Sequence, residues 1–275
     1  MLYTIITSLN QKYWDETSKI NIQSWAQFLP PEVKIVIYSE DDIDIGNLKE
    51  RVTVKDIYST CPKLLEFKNT HKYNPHYNGD APVKDTKKFK WNAIKFAHKT
   101  FPIFEEAKVC DTNYLIWLDA DVLMHDYITM EWLADLFPAR SCISYLGRPS
   151  NTKTSYDECG LMGYNLKTPL AKTFLEAYEE YYEGNNLDEL RETHDSWIFF
   201  QLRLSYEAGG YEGFKNLNPN PVNNKSPFNN SGINQYMVHC KGKGKESYII
   251  SFKRFSIQSY MHILVACDQI YDNGV

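Results

Sequence analysis

The chain has 275 residues, 43 % hydrophobic and 24 % charged, and its 30 Lys+Arg against 35 Asp+Glu leave a net charge of −5. These are ordinary globular values for a single domain of 1–275, and they supply no general basic field that would steer the protein onto nucleic acid. No run of 18 or more apolar residues occurs, Met1–Thr7 is too short and lacks the basic flank of a signal peptide, and the six Cys show no C-x-x-C spacing, so a cytoplasmic protein with reduced thiols is expected.

Residues 2–9 are an apolar run that reads as a strand, and Ile20, Trp25 and Phe28 fall at helical spacing before Pro30-Pro31 stops the helix. Val33–Tyr38 is a second β-branched strand, closed by Ser39-Glu40-Asp41-Asp42. Strand, crossover helix and strand in this order belong to a parallel α/β sheet, where ligands sit beyond the carboxyl ends of the strands. Residues 60–88 are rich in Lys, His, Asn and Pro without sustained periodicity and read as a long excursion that could act as a lid. A helical pattern resumes over Phe89–Phe104 and feeds the run Tyr114–Met124. Further on come a strand at Cys142–Leu146, the segment Asp157–Leu166, a helix from Pro169 to Tyr182 and a capped helix opening at Thr193-His194-Asp195. Tyr211–Gly232 is crowded with Asn, Pro and Gly and reads as irregular, and Tyr236–His239 is a short strand-like lead into Lys241-Gly242-Lys243-Gly244-Lys245.

Within Tyr114–Met124 an apolar run meets Asp119-Ala120-Asp121 and then resumes apolar. Unpaired carboxylates are costly to bury, so two of them at the end of a covered strand call for a cation or hydrogen bonds. If the strand continued through them, both side chains would share a face, roughly 6 to 7 Å apart. A divalent ion would fit between them. The bland alternative is a polar turn. Carboxylates favour hard ions such as Mg²⁺ or Mn²⁺, and an added imidazole ligand would shift the preference toward Mn²⁺. The 20 Tyr, 14 Phe and 6 Trp exceed what a core needs, which fits a cleft lined by rings that stack on bases or sugars.

Five ordered pieces resemble the GT-A class of nucleotide-sugar glycosyltransferases. They are the first strand with Thr7 and Ser8, the end of the second strand at Tyr38, Asp119-Ala120-Asp121, Glu158-Cys159-Gly160 with Gly163, and His239 with its lysine-glycine run. Their order is most similar to the retaining, glycogenin-like branch (glycosyltransferase family 8-like). The resemblance implies an α/β fold with a mostly parallel, Rossmann-like central sheet flanked by helices. It implies a nucleotide-binding half over 1–125 and a sugar and acceptor half over 126–275. It further implies Mn²⁺ (or Mg²⁺) on Asp119, Asp121 and His239, and a nucleotide diphosphate sugar, by expectation a UDP-sugar, as donor.

In that scheme Thr7, Ser8, Tyr38 and either Glu40 or Asp41 contact the nucleotide, while Lys90, Lys241, Lys243 and Lys245 reach phosphate or sugar. Glu246 follows the last lysine, where the family's closing motif often has an aromatic. Asp195 is the first candidate for sugar binding or catalysis and Glu158 the second. An inverting enzyme would need one of them as general base, whereas a retaining one lets the leaving diphosphate take the acceptor proton. The acceptor is open among glycan, protein, lipid and modified nucleobase, and the oligomeric state is open as well. Competing readings are a nucleotide-sugar or glycan-binding protein of the same fold without turnover, and a sugar nucleotidyltransferase. The latter is disfavoured because Ile5–Asn10 lacks the glycine-rich loop that wraps a triphosphate.

Overall fold

The computed structural model describes residues 1–79, 88–148, 156–184, 186–219 and 226–240. The chain divides into two compact units, Met1–His239 and Cys240–Val275, and beyond Cys240 the second lies outside the described residues. The first unit is built on a seven-stranded sheet of order β3-β2-β1-β4-β7-β6-β8. Its strands are β1 (Tyr3–Leu9), β2 (Lys34–Ser39), β3 (Val52–Asp56), β4 (Tyr114–Leu118), β6 (Ile143–Leu146), β7 (Glu158–Asn165) and β8 (Phe214–Asn216). β1, β2, β3 and β4 pair in parallel, β6 and β8 do the same, and β7 runs antiparallel to both of its neighbours. This is the expected α/β architecture with a mostly parallel sheet.

The longer helices among the described residues are α1 (Lys19–Phe28), α2 (Pro62–His71), α3 (Ala93–Val109), α4 (Met130–Leu136), α5 (Pro169–Glu183) and α6 (Asp195–Ala208). Their starts are written locally. Asn92, Thr129 and Thr168 each accept a backbone N–H of the first turn, from Lys95, Trp132 and Ala171, and Pro169 follows its cap at a position where no N–H is needed. Ile6, Val36, Leu115, Met162 and Tyr164 from the sheet form one core with Phe101 and Phe104 of α3, Phe174 and Tyr178 of α5 and Phe199 of α6. On the other face Ile5, Ile116 and Leu161 meet Leu29, Leu133 and Phe137 around a small apolar gap.

Two expectations are corrected. Residues 60–79 are not structureless, because Pro62–His71 is helical and buries Leu64 and Phe67, and Pro75–Asn78 adds a further helical turn. So few buried positions left too weak a period to read. Nor does one strand run through the acidic pair. β4 ends at Leu118, and the chain turns over Asp119–Val122, with Val122 N–H bonded to the Asp119 carbonyl at 3.0 Å, before β5 (Val122–Met124) begins. β5 leaves the main sheet and pairs antiparallel with β9 (Met237–His239), in register Val122↔His239.

Candidate functional site

The turn after β4 brings Asp119 and Asp121 together, and the ribbon β5–β9 delivers His239 opposite Val122. One ligand atom from each of Asp119, Asp121 and His239 lies within 4.8 Å of the others. His239 Nε2 is 2.8 Å from Asp121 Oδ1 and 3.5 Å from Asp119 Oδ2. The imidazole is fully buried and Phe228 packs against it, ring centroids 5.3 Å apart. Gly160 of β7 supplies the space for that ring, since a Cβ there would stand 2.7 Å from His239 Cε1 and 3.3 Å from Asp119 Oδ2. A cluster of two carboxylate oxygens and one imidazole nitrogen is a donor set that fits Mn²⁺.

α1 holds the turn from behind. Asn21 Nδ2 donates to the Ala120 carbonyl at 2.9 Å, Trp25 Nε1 donates to the Val122 carbonyl at 2.7 Å, and Ser24 Oγ accepts Met124 N–H at 2.9 Å. These bonds satisfy the backbone of a segment that has left the sheet. On its other side, Asp119 Oδ1 accepts from Trp117 Nε1 at 2.7 Å and from Lys99 Nζ at 3.0 Å, which leaves Oδ2 toward His239.

Lys99 escaped the sequence reading. Its ammonium sits between Asp119 and Asp195, 2.9 Å from Asp195 Oδ2, and also donates to the Cys159 carbonyl. Burial disfavours its charge, but the two carboxylates outweigh burial and hold it above the ordinary lysine range. The signal was present: Lys99 is flanked by the buried Ala97, Thr100 and Phe101, and a lysine among buried neighbours needs carboxylate partners. Asp195 is buried in the first turn of α6, where the helix dipole favours a carboxylate.

Glu158 opens β7 and is buried, with Oε2 accepting from Arg148 Nη2 at 2.8 Å and Oε1 lying 3.8 Å from His239 Nδ1. Just before it, Asp157 receives two bonds from Arg203, at 2.7 and 3.2 Å. Burial pushes the Asp157 carboxyl up to about 6 against the opposing pull of Arg203. Asp119, Asp121, His239, Glu158 and Asp195 are thus joined through contacts with one another or with Lys99.

Other residues singled out in the sequence stand apart from that cluster. Thr7 is fully buried on β1, its Oγ1 without a hydrogen-bond partner among the described residues, and Ser8 is half-buried. Tyr38 is buried and its hydroxyl donates to Glu106 Oε2 at 2.5 Å. Burial and that carboxylate both raise the phenol above its usual range. Glu40 accepts from Tyr58 at 2.8 Å, with His98 Nε2 at 3.4 Å, and Asp41 Oδ2 accepts Gln11 N–H at 2.7 Å. Lys90 pairs with the buried Glu192 at 2.6 Å. Glu192 also accepts from Tyr156 at 2.8 Å and lies 3.0 Å from His194 Nε2. Burial opposes its ionisation, yet the bonds from His194, Lys90 and Tyr156 prevail and draw it down to about 2. Lys241, Lys243 and Lys245 lie outside the described residues.

No family model and no curated protein matches the chain. Among solved structures it is similar to mouse xyloside xylosyltransferase 1 in its apo form, with a TM-score of 0.50 and 14 % identity over 79 % of this chain and 86 % of that one. The galactosyltransferase LgtC, in complex with donor and acceptor sugar analogs, aligns with a TM-score of 0.43 and 11 % identity over 78 % of this chain and 73 % of that one. Likeness at such identity speaks to fold, and the xylosyltransferase supports the GT-A architecture for the sheet described above.

Proposed function

We propose that the protein is a metal-dependent glycosyltransferase that moves a sugar from a nucleotide diphosphate sugar, a UDP-sugar in this reading, to a hydroxyl acceptor. The observation that carries the proposal is the convergence of Asp119, Asp121 and His239 at the carboxyl end of β4, where an α/β sheet binds its ligands. Those three residues would hold Mn²⁺ (or Mg²⁺), which when bound supplies Lewis-acid stabilisation to a departing diphosphate. In this scheme residues 1–125 form the nucleotide half and 126–275 the sugar and acceptor half.

The chain's own residues then divide the work. Lys99 holds Asp119 and Asp195 at fixed separation and brings positive charge to the edge of the site. Asp195, whose backbone carbonyl accepts from Tyr178 at 3.2 Å, would in this reading accept hydroxyls of the transferred sugar. Both acids considered as general base are engaged by cations, Asp195 by Lys99 and Glu158 by Arg148. That favours the retaining course of the glycogenin-like branch. The bond from the anomeric carbon to the diphosphate breaks, the acceptor oxygen bonds to the same face of that carbon, and the acceptor proton passes to the departing diphosphate oxygen.

Incubating the protein with a panel of nucleotide sugars and Mn²⁺ tests the proposal. Slow donor hydrolysis with one of them is expected, to be abolished by EDTA and by Asp121→Asn with the fold unchanged by circular dichroism. Wild-type rates in Asp121→Asn would remove the metal assignment. Donor binding in calorimetry without transfer or hydrolysis would favour the binding-protein reading. NMR of the product's anomeric proton decides the stereochemical course.

A further inference from the structure

Nε2 and Nδ1 of His239 face different neighbours. Nε2 is turned toward the two aspartates, while Nδ1 is buried without a hydrogen-bond partner among the described residues. A neutral imidazole that gives one nitrogen to an ion carries its proton on the other, and a buried N–H without an acceptor is costly. The carboxylate facing Nδ1 is that of Glu158, with Oε1 at 3.8 Å. Glu158 and Gly160 both meet the ring from β7: besides the Glu158 contact, a Cβ at Gly160 would stand 2.9 Å from Nδ1. The imidazole edge that rests on the bare glycine is the edge that the glutamate faces.

Arg148 fixes the far side of that carboxylate, its Nη2 lying 2.8 Å from Oε2. At 3.8 Å, Oε1 lies just beyond hydrogen-bond length of Nδ1.

We propose that Glu158 is a positioning residue of the metal site, anchored by Arg148 and accepting the Nδ1 proton of His239, and so presents Nε2 to the ion. The proposal deepens the reading of Asp119, Asp121 and His239 as metal ligands and rests on it. It removes Glu158 from the sugar and from acid–base work. Carboxylates that orient a ligating histidine in this way typically carry 10- to 100-fold in metal affinity.

The test is Mn²⁺ binding followed by electron paramagnetic resonance of the free ion, with and without UDP, on the whole chain. Glu158→Met is expected to raise the Mn²⁺ dissociation constant by about 10- to 100-fold, the loss typical of such outer ligands. Glu158→Gln, which keeps a carbonyl acceptor, should recover most of the affinity. Because Glu158→Met removes the carboxylate that Arg148 Nη2 meets, the double variant Glu158→Met with Arg148→Met should show the same loss with a melting temperature in EDTA close to wild type. An Mn²⁺ affinity in the double variant within twofold of wild type would overturn the proposal, and lost turnover beside it would return Glu158 to the substrate. The two readings fail separately. Wild-type protein that binds no Mn²⁺ overturns the ligand set and this proposal together, whereas wild-type binding abolished by Asp121→Asn but untouched by Glu158→Met overturns this proposal alone.

Discussion

At Lys99 one buried ammonium is shared by two carboxylates, and the charge balance of the cluster depends on it. Replacing it with Met removes the ammonium that both Asp119 and Asp195 meet. Removing one partner of a buried ion pair costs about 3–5 kcal/mol, so urea denaturation of Lys99→Met in EDTA should show a loss of that order, and Mn²⁺ should restore part of it. Gly160 makes the opposite point, that of required emptiness. Gly160→Ala would drive a methyl to 2.7 Å from His239 Cε1. Overpacking of that kind costs about 1–3 kcal/mol, and displacement of the ring should weaken Mn²⁺ binding in calorimetry although no ligand atom has changed. Asp119, Asp121 and His239 were legible because their apolar approaches announce them. Lys99, Arg148 and Glu192 were not, since a cation or an acid on a helix or loop looks solvated until its partner is placed.

Among elements, the ribbon β5–β9 depends on α1 more than on the main sheet. Trp25→Phe deletes the bond to the Val122 carbonyl. A buried acceptor that loses its donor costs about 1–3 kcal/mol, and faster hydrogen exchange confined to Val122–Met124 and Met237–His239 would show where the loss falls. A second junction is Glu192, which binds Lys90 ahead of α3, Tyr156 ahead of β7 and His194 ahead of α6. Its carboxyl is drawn from 4.5 to about 2 in the folded chain. The stability it contributes is therefore full above pH 4.5 and fades as the pH falls toward 2, because the unfolded chain takes up the proton first. The gap in unfolding free energy between wild type and Glu192→Gln should accordingly shrink over that interval, and a gap independent of pH would contradict the assignment. The helix Pro62–His71 escaped sequence reading for a related reason: it buries only Leu64 and Phe67, so the apolar period that marks an amphipathic helix is barely written.

For the molecule as a whole, β-α-β at the amino end was enough to predict a parallel sheet, because handedness and loop length leave few other arrangements. The reversal at β7 was not predictable in the same way, since Glu158–Asn165 is buried along its whole length and an apolar strand does not state its direction. An ion that binds the folded chain but not the unfolded one raises apparent stability by about 2.7 kcal/mol at 100 times its dissociation constant. Thermal melting with increasing Mn²⁺ should therefore rise continuously in wild type and stay flat in Asp121→Asn.

His239 lies 118 residues beyond Asp121, although the two side chains touch. Closing a flexible loop of that length costs on the order of 4 kcal/mol in chain entropy before any contact rewards it. During synthesis the two aspartates emerge well before His239, which β9 carries. In the proposed metal site the third ligand would join only once β9 pairs with β5. Ion capture would then serve as a completion signal for the fold, and a nascent chain halted before Met237 should be blind to Mn²⁺ however well its sheet has formed.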